Sequence, residues 1–96
     1  MEYRFYIIDL YDIYGELLTS KQQYYFEDYY FNNLTLAEMS ENYNVSRNAV
    51  HKQIKEAEEK LIKFEEILQI ADKNKRIKQI CENLDEEIKN KIFDIL

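Results

Sequence analysis

Apolar positions recur at three- and four-residue steps along almost the whole chain, and the steps break only where Asn, Thr, Ser or a run of charges intervenes. From Tyr3 to Leu18 the spacing of Tyr3, Tyr6, Ile7, Leu10, Tyr14, Leu17 and Leu18 predicts a first helix. Phe5, Ile8, Tyr11 and Ile13 crowd its other side, so it needs covering twice. Its own domain supplies one cover; a partner chain, or tyrosines lying along the edge of one core, supplies the other. Gly15 is either the end of this helix or a close-packing point within it. Thr19 and Ser20 can cap a second helix running to about Phe31, whose Tyr24, Tyr25, Phe26, Tyr29 and Tyr30 form an aromatic belt. Glu27 and Asp28 beside those rings point to core packing rather than base stacking, which asks for a basic groove. Asn32 and Asn33 mark the loop that follows.

Leu34 to Lys55 then has the spacing of two short helices joined by a tight turn, a helix-turn-helix. Leu36, Ala37, Met39 and Ser40 give one inward face, Val45 ends the turn, and Ala49, Val50 and Ile54 give a second inward face. Thr35 with Glu38 makes a capping box, and Ser46 caps the second helix. The second stripe continues through Ala57, Leu61, Phe64 and Leu68, which carries that helix from Arg47 to about Ile70. Ile62 and Ile67 lie off the stripe and suit a tail helix or a second subunit. Asn74 interrupts the pattern within a positive cluster of Lys73, Lys75, Arg76 and Lys78. The remainder reads as one or two helices, with Ile77, Ile80, Cys81 and Leu84 on one face and Asp85 as a cap before Ile88, Ile92, Ile95 and Leu96.

The fold class expected is all-α, a single small domain over 1–96 with a helix-turn-helix core at about 34–55, a long recognition helix and a helical tail at about 72–96. One Gly and no Pro in 96 residues agree with it, since the usual punctuation of hairpins is missing. A core of this size is marginal, and the surplus apolar surface leads to the expectation of a homodimer. Cys81 stands alone, which excludes an internal disulfide and fits a reducing, cytoplasmic location; a small buried apolar residue is its plain role. Glu2, Arg4, Asp9 and Asp12 interrupt the N-terminal apolar run too early for membrane insertion.

The net charge of −6 means that a polyanion is repelled unless the positive charges are grouped on one surface. On a wheel of about 100° per residue, Arg47, Asn48, His51, Lys52 and Lys55 fall on one arc, turned away from Val50, Ile54 and Ala57. Arg can bond guanine edges, Asn adenine edges, and Lys can neutralise phosphates, so the arc has the donors of a helix that reads double-stranded DNA. Beyond Lys55 the same arc is expected to carry Glu58, Glu59, Glu65 and Glu66, reversing the charge where a helix would leave the groove. A solvated face with ordinary helix-pair charges competes with this reading. His51 has no Cys or second His near it for a metal site. The carboxylates have no partnering His or Ser constellation and there is no Gly-rich phosphate loop, so no catalytic residue and no cofactor is expected.

The succession DLYDIYGELLTSKQQYYFEDYY and LTLAEMSENYNVSRNAVHKQIKEAEEKL resembles the YlxM-like helix-turn-helix proteins, over roughly Asp9 to Glu66. Its most specific pieces are YGELLTSKQ and NVSRNAV, and the helix-turn-helix is also similar to the promoter-reading region of sigma factors. Arg47, Asn48, His51 and Lys52 match the start of that family's recognition helix; His51 stands where a bulkier aromatic is the pattern, Asn44 where glycine is, and Ser40 where alanine is. The resemblance implies a non-enzymatic regulatory role associated with the signal recognition particle pathway. Two expectations follow: DNA binding through the helix beginning at Arg47, or an interaction module for the particle's protein or RNA in which the helix-turn-helix is only scaffold. In the second, contacts run through the aromatic first helices or the Lys73 to Lys78 cluster.

Overall fold

The computed structural model describes residues 2–96. Its helices are α1 (Glu2–Tyr14), α2 (Ser20–Tyr30), α3 (Leu36–Tyr43), α4 (Arg47–Leu68), α5 (Ile70–Ile80) and α6 (Glu86–Phe93), with short 3₁₀ turns at Gly15–Leu17 and Cys81–Asn83, and no strand among the described residues. The all-α expectation is met, with α1, α2 and α3 packed around α4.

The core consists of Ile7, Leu10 and Tyr14 of α1, Leu18, Tyr25, Phe26 and Tyr30 around α2, Met39 of α3, and Val50, Ile54, Ala57 and Leu61 of α4. These are the expected stripes, narrowed. Tyr3, Tyr6 and Leu17 were expected to face inward with Ile7 and Leu10, but they are exposed, because α1 ends at Tyr14 and only a narrow face meets α4. Phe64 is half-buried, and Leu68 at the end of the α4 stripe is exposed. In α2, Tyr25, Phe26 and Tyr30 pack inward as the aromatic-core reading requires, while Tyr24 is exposed. Thr19 completes a capping box with Gln22, each donating a backbone N–H to the other's side chain at 3.1 Å. Gly15 ends α1 and is also a close-packing point: a Cβ there would lie 2.9 Å from the Tyr11 ring. That ring cannot easily yield, since it stacks on Phe26 at 4.3 Å and its hydroxyl donates to Glu27.

Two positions in α4 depart from the sequence reading. Glu58 and Glu65, expected on the outward arc, are buried. On the wheel they sit about 20° and 0° from Arg47, close to Ile54 and Leu61, so their azimuth belongs to the inward side. Tyr30 donates to Glu58 Oε2 at 2.5 Å and Tyr3 to Glu58 Oε1 at 3.1 Å. Tyr14 donates to Glu65 Oε1 at 2.6 Å, and the backbone N–H groups of Ala71 and Asp72 donate to the same carboxylate at 3.0 Å each. Ile70 N–H donates to the Tyr14 hydroxyl at 3.1 Å. Three N–H groups at the start of α5, which a helix cannot satisfy internally, are thus taken up by α4 and α1 side chains.

That junction is also where the long helix stops. Gln69 adopts φ 56°, ψ 30°, the left-handed conformation, and separates α4 from α5; Asn74, expected to interrupt the pattern, lies inside α5. Cys81 is buried as expected, but Ile80 and Leu84 are exposed and Ile77 is only half-buried, so their shared face is not a core face within this chain. Asp85 precedes α6 without a side-chain capping bond. Neither α5 nor α6 has a buried residue. The molecule is correspondingly elongated, 53 × 25 × 24 Å with a radius of gyration of 16.7 Å, against about 12.5 Å for a compact domain of this length.

Burial raises the Glu65 pKa, but the bonds from Tyr14, Ala71 and Asp72 outweigh it and leave the group below its ordinary value of 4.5. A carboxylate lowered in the folded state stabilises the fold at neutral pH, and this contribution disappears as pH falls through the folded value. Urea melts from pH 7 downward should show stability declining below about pH 4.5, and Glu65→Gln should flatten that decline while costing about 1–3 kcal/mol at pH 7. An unchanged acid limb in the variant would remove Glu65 from this role. The tyrosines shift the other way: burial and then the Glu58 carboxylate push Tyr3 up to about 12, and burial with the Glu27 and Glu58 bonds raises Tyr11 and Tyr30 further. A raised group stabilises the fold below its unfolded value near 10 and loses that contribution as pH rises toward the folded value. Tyrosinate absorbance near 295 nm should therefore rise in two stages, the second coinciding with loss of helical circular dichroism.

Candidate nucleic-acid interface

The helix-turn-helix is built by caps and by one left-handed residue. Thr35 and Glu38 close a capping box at the start of α3, the Glu38 N–H donating to Thr35 Oγ1 at 3.0 Å and the Thr35 N–H to Glu38 Oε1 at 2.9 Å. α3 ends at Asn44, whose φ 55°, ψ 48° is the conformation that glycine fills most easily and that Asn tolerates best among other residues. Val45 N–H returns to Ser40 C=O at 3.1 Å, and the Ser40 hydroxyl donates to Val45 C=O. Ser46 accepts from Ala49 N–H at 3.0 Å and starts α4. Both ends of the turn are therefore fixed by side chains that the sequence already marks.

α3 is tied to the body through Tyr43, whose ring stacks on Tyr25 at 4.4 Å and whose hydroxyl donates to the Asp28 carboxylate. Burial, then the Asp28 bond, raises the Tyr43 hydroxyl to about 12. Half-buried Leu36 and buried Met39 pack α3 onto α4, and buried Val50 and Ile54 seat α4 against the core. The first two turns of α4 are held from one side only.

On the other side, Arg47, Asn48, His51, Lys52 and Lys55 are all exposed. They wrap from about 0° to 140° around the helix, with Arg47 and His51 nearest the inward azimuth and Lys52 farthest from it. Arg47 and His51 share the angular sector that buries Glu58 and Glu65 further along, yet they are open to solvent at the start of the helix. No Asp or Glu occurs from residue 42 to 55, in a chain that has 19 of them. The first turn of α4 also has no acidic residue, although a helix N-terminus favours one, and Arg47 occupies it instead. Glu58 and Glu65, placed on the outward arc by the sequence, turn inward, as an angular count against Ile54 and Leu61 indicates.

What the arrangement offers is five donor side chains on an open helix face. Among the described residues no group of three or more His, Cys, Asp or Glu is placed to hold a metal ion, and no helix is long and apolar enough to cross a membrane.

The family model described as "Putative helix-turn-helix protein, YlxM / p13 like" matches residues 1–95. A UPF0122 protein of Ureaplasma urealyticum serovar 10 is 39% identical over 93 residues, covering 96% of this chain and 94% of the relative. A UPF0122 protein of Listeria innocua serovar 6a is 38% identical over 84 residues, 88% of this chain and 76% of the relative. One from Desulforamulus reducens is 48% identical over 62 residues, 65% of this chain and 53% of the relative.

Asn44 gives a direct check of the turn. Asn44→Gly should stabilise the protein by about 0.5 kcal/mol by relieving the left-handed residue, and Asn44→Ala should destabilise it by about 1 kcal/mol, both read as shifts of the thermal midpoint. Equal midpoints for the two variants would contradict the turn geometry.

Proposed function

The chain belongs to the YlxM / p13-like helix-turn-helix family, and from that premise we propose that it is a non-enzymatic regulatory protein of the cytoplasm that binds duplex DNA through the start of α4. The observation that carries this reading is the open Arg47 to Lys55 face, free of carboxylates, on a molecule whose net charge is −6. An α-helix about 10–12 Å across fits a major groove about 12 Å wide. In this reading Arg47 and Asn48 reach base edges with the donor patterns suited to guanine and adenine, while Lys52 and Lys55 neutralise phosphates. His51 lines the groove between them, and α3 crosses the backbone. The carboxylates carried elsewhere disfavour the approach of DNA over much of the remaining surface.

Fluorescence anisotropy on a mixed-sequence duplex should show affinity falling steeply with salt, and Lys52→Ala or Lys55→Ala should each reduce the logarithmic slope by about 1. Arg47→Ala should weaken specific binding by about 1–3 kcal/mol. Absence of binding at low salt would sink the reading.

The exposure of Lys73, Lys75, Arg76 and Lys78 along α5 favours a second reading, in which the protein contacts the RNA or protein of the signal recognition particle and the helix-turn-helix is scaffold. Retention by the particle's components without retention by duplex DNA, in the same buffer, is the result that would select it.

A further inference from the structure

A single residue separates α4 from α5. Gln69 holds φ 56°, ψ 30°, while the chain is right-handed helix on either side of it, to Leu68 and from Ile70. The left-handed residues among those described are Asn33, Asn44 and Gln69. Asparagine tolerates that conformation; glutamine has no such preference, and the Gln69 side chain makes no capping bond. From Phe64 to Ile80 the chain has no Gly, Pro, Ser or Thr, and its Leu, Gln, Ala, Lys and Arg residues are good helix formers. Nothing local therefore calls for a break. Leu68, Gln69 and Ile70 are exposed, so no buried apolar side chain at the bend itself holds it either.

Three hydrogen bonds hold it. Ile70 N–H donates to the Tyr14 hydroxyl, and Ala71 and Asp72 N–H donate to the Glu65 carboxylate. Two bonds of an uninterrupted helix are already in place across the break, Gln69 N–H to Glu65 C=O at 2.8 Å and Lys73 N–H to Gln69 C=O at 2.9 Å. Completing that helix requires only that the N–H groups of Ile70, Ala71 and Asp72 move to the carbonyls of Glu66, Ile67 and Leu68, four residues back. The end of α4 leaves those carbonyls without an intrahelical partner. The exchange is one for one, and it relieves the left-handed residue.

We infer that Gln69 is the hinge of a two-state tail. In the bent state α5 lies against α1. In a straight state Gln69 turns right-handed, α4 and α5 join as one helix from Arg47 to Ile80, and α6 is carried off with them. Tyr14 and Glu65 are the latch that selects the bend, assisted by half-buried Ala71, which packs against the core. α5 and α6 have no buried residue, so their departure gives up little buried apolar surface; Cys81, in the turn between them, is the one buried side chain of the tail. The hinge does not depend on DNA binding at the other end of α4.

Nitroxide labels at Glu59→Cys and Lys75→Cys, both exposed positions, in a Cys81→Ala chain report the hinge by pulsed electron paramagnetic resonance. The labelled residues lie about 24 Å apart along the axis of a continuous helix and closer together in the bent state. With Gln69 in place the shorter separation should dominate. Gln69→Ile, whose β-branched side chain is excluded from the left-handed region, should raise the ratio of straight to bent by about tenfold or more and bring out the separation of the continuous helix. Gln69→Gly should keep the shorter one. Residue 69 is exposed, so both substitutions leave the core in place, with circular dichroism reporting helix content. Glu65→Ala, which removes the latch, should lengthen the separation as Gln69→Ile does. The hinge is overturned by a Gln69→Ile chain that keeps the shorter separation or gives only a broad spread, or by a Gln69→Gly chain that lengthens equally. A folded Glu65→Ala chain with the shorter separation overturns the latch.

Discussion

The structure depends on two carboxylates being held inside it. Burying a carboxylate costs several kcal/mol unless its oxygens are fully hydrogen-bonded. Glu58 meets this with the hydroxyls of Tyr3 and Tyr30, and Glu65 with the Tyr14 hydroxyl and two backbone N–H groups. The donors are neutral, so no buried cation has to be desolvated in turn, and no buried side-chain nitrogen or oxygen among the described residues lacks a partner. Hydrophobic contacts along Val50, Ile54, Ala57 and Leu61 tolerate a small slide of α4 against α1 and α2, whereas two sets of hydrogen bonds seven residues apart do not. The tyrosine–glutamate bonds therefore fix the register of the long helix.

That register has effects at both ends of α4. At its C-terminal end, Glu65 and Tyr14 satisfy the first N–H groups of α5 and so turn the chain at Gln69, directing the tail back along α1. A left-handed Gln costs about 1 kcal/mol, which these bonds offset. At the other end, Ser46 starts the helix and Tyr43 ties α3 to α2, so the turns carrying Arg47 to Lys55 are aligned with the body of the molecule. Clamps on both sides of the turn hold the first turns of α4 in a fixed orientation relative to the rest of the domain.

The sequence made the helix-turn-helix legible because its signals are local. A Thr three residues before Glu, an Asn able to turn left-handed and a Ser before Arg47 each act on backbone groups within one turn, and each does so in the structure. The open state of Arg47, Asn48, His51, Lys52 and Lys55 followed from the same helix phase. The tail and the glutamates were not legible in the same way. Glu58 and Glu65 lie in the inward sector by angle, but charge alone assigned them to solvent, and only tyrosines 28 to 55 residues away make their burial tolerable. Asn74 looked like a helix break because it is polar within an apolar pattern; the actual break at Gln69 is set by Glu65 and Tyr14, a tertiary cause.

Charge is distributed to match this division of the molecule. Drawing Glu58 and Glu65 into the core removes two carboxylates from the helix surface directly beyond Lys55, leaving Glu59 and Glu66 as the exposed acidic residues of that face. The surface beyond the positive start of α4 therefore carries fewer exposed carboxylates than the sequence count suggests. Coulomb interactions between exposed charges decay over about 8 Å at physiological ionic strength, so an approaching polyanion responds to the nearest turns rather than to the net charge of the whole chain. An acidic protein can therefore present a locally cationic helix, provided that its carboxylates are distant from the first turns, as the absence of Asp and Glu from residue 42 to 55 arranges. The tyrosines that fix the register of α4 hold the Glu58 and Glu65 side chains inside the core rather than on that surface.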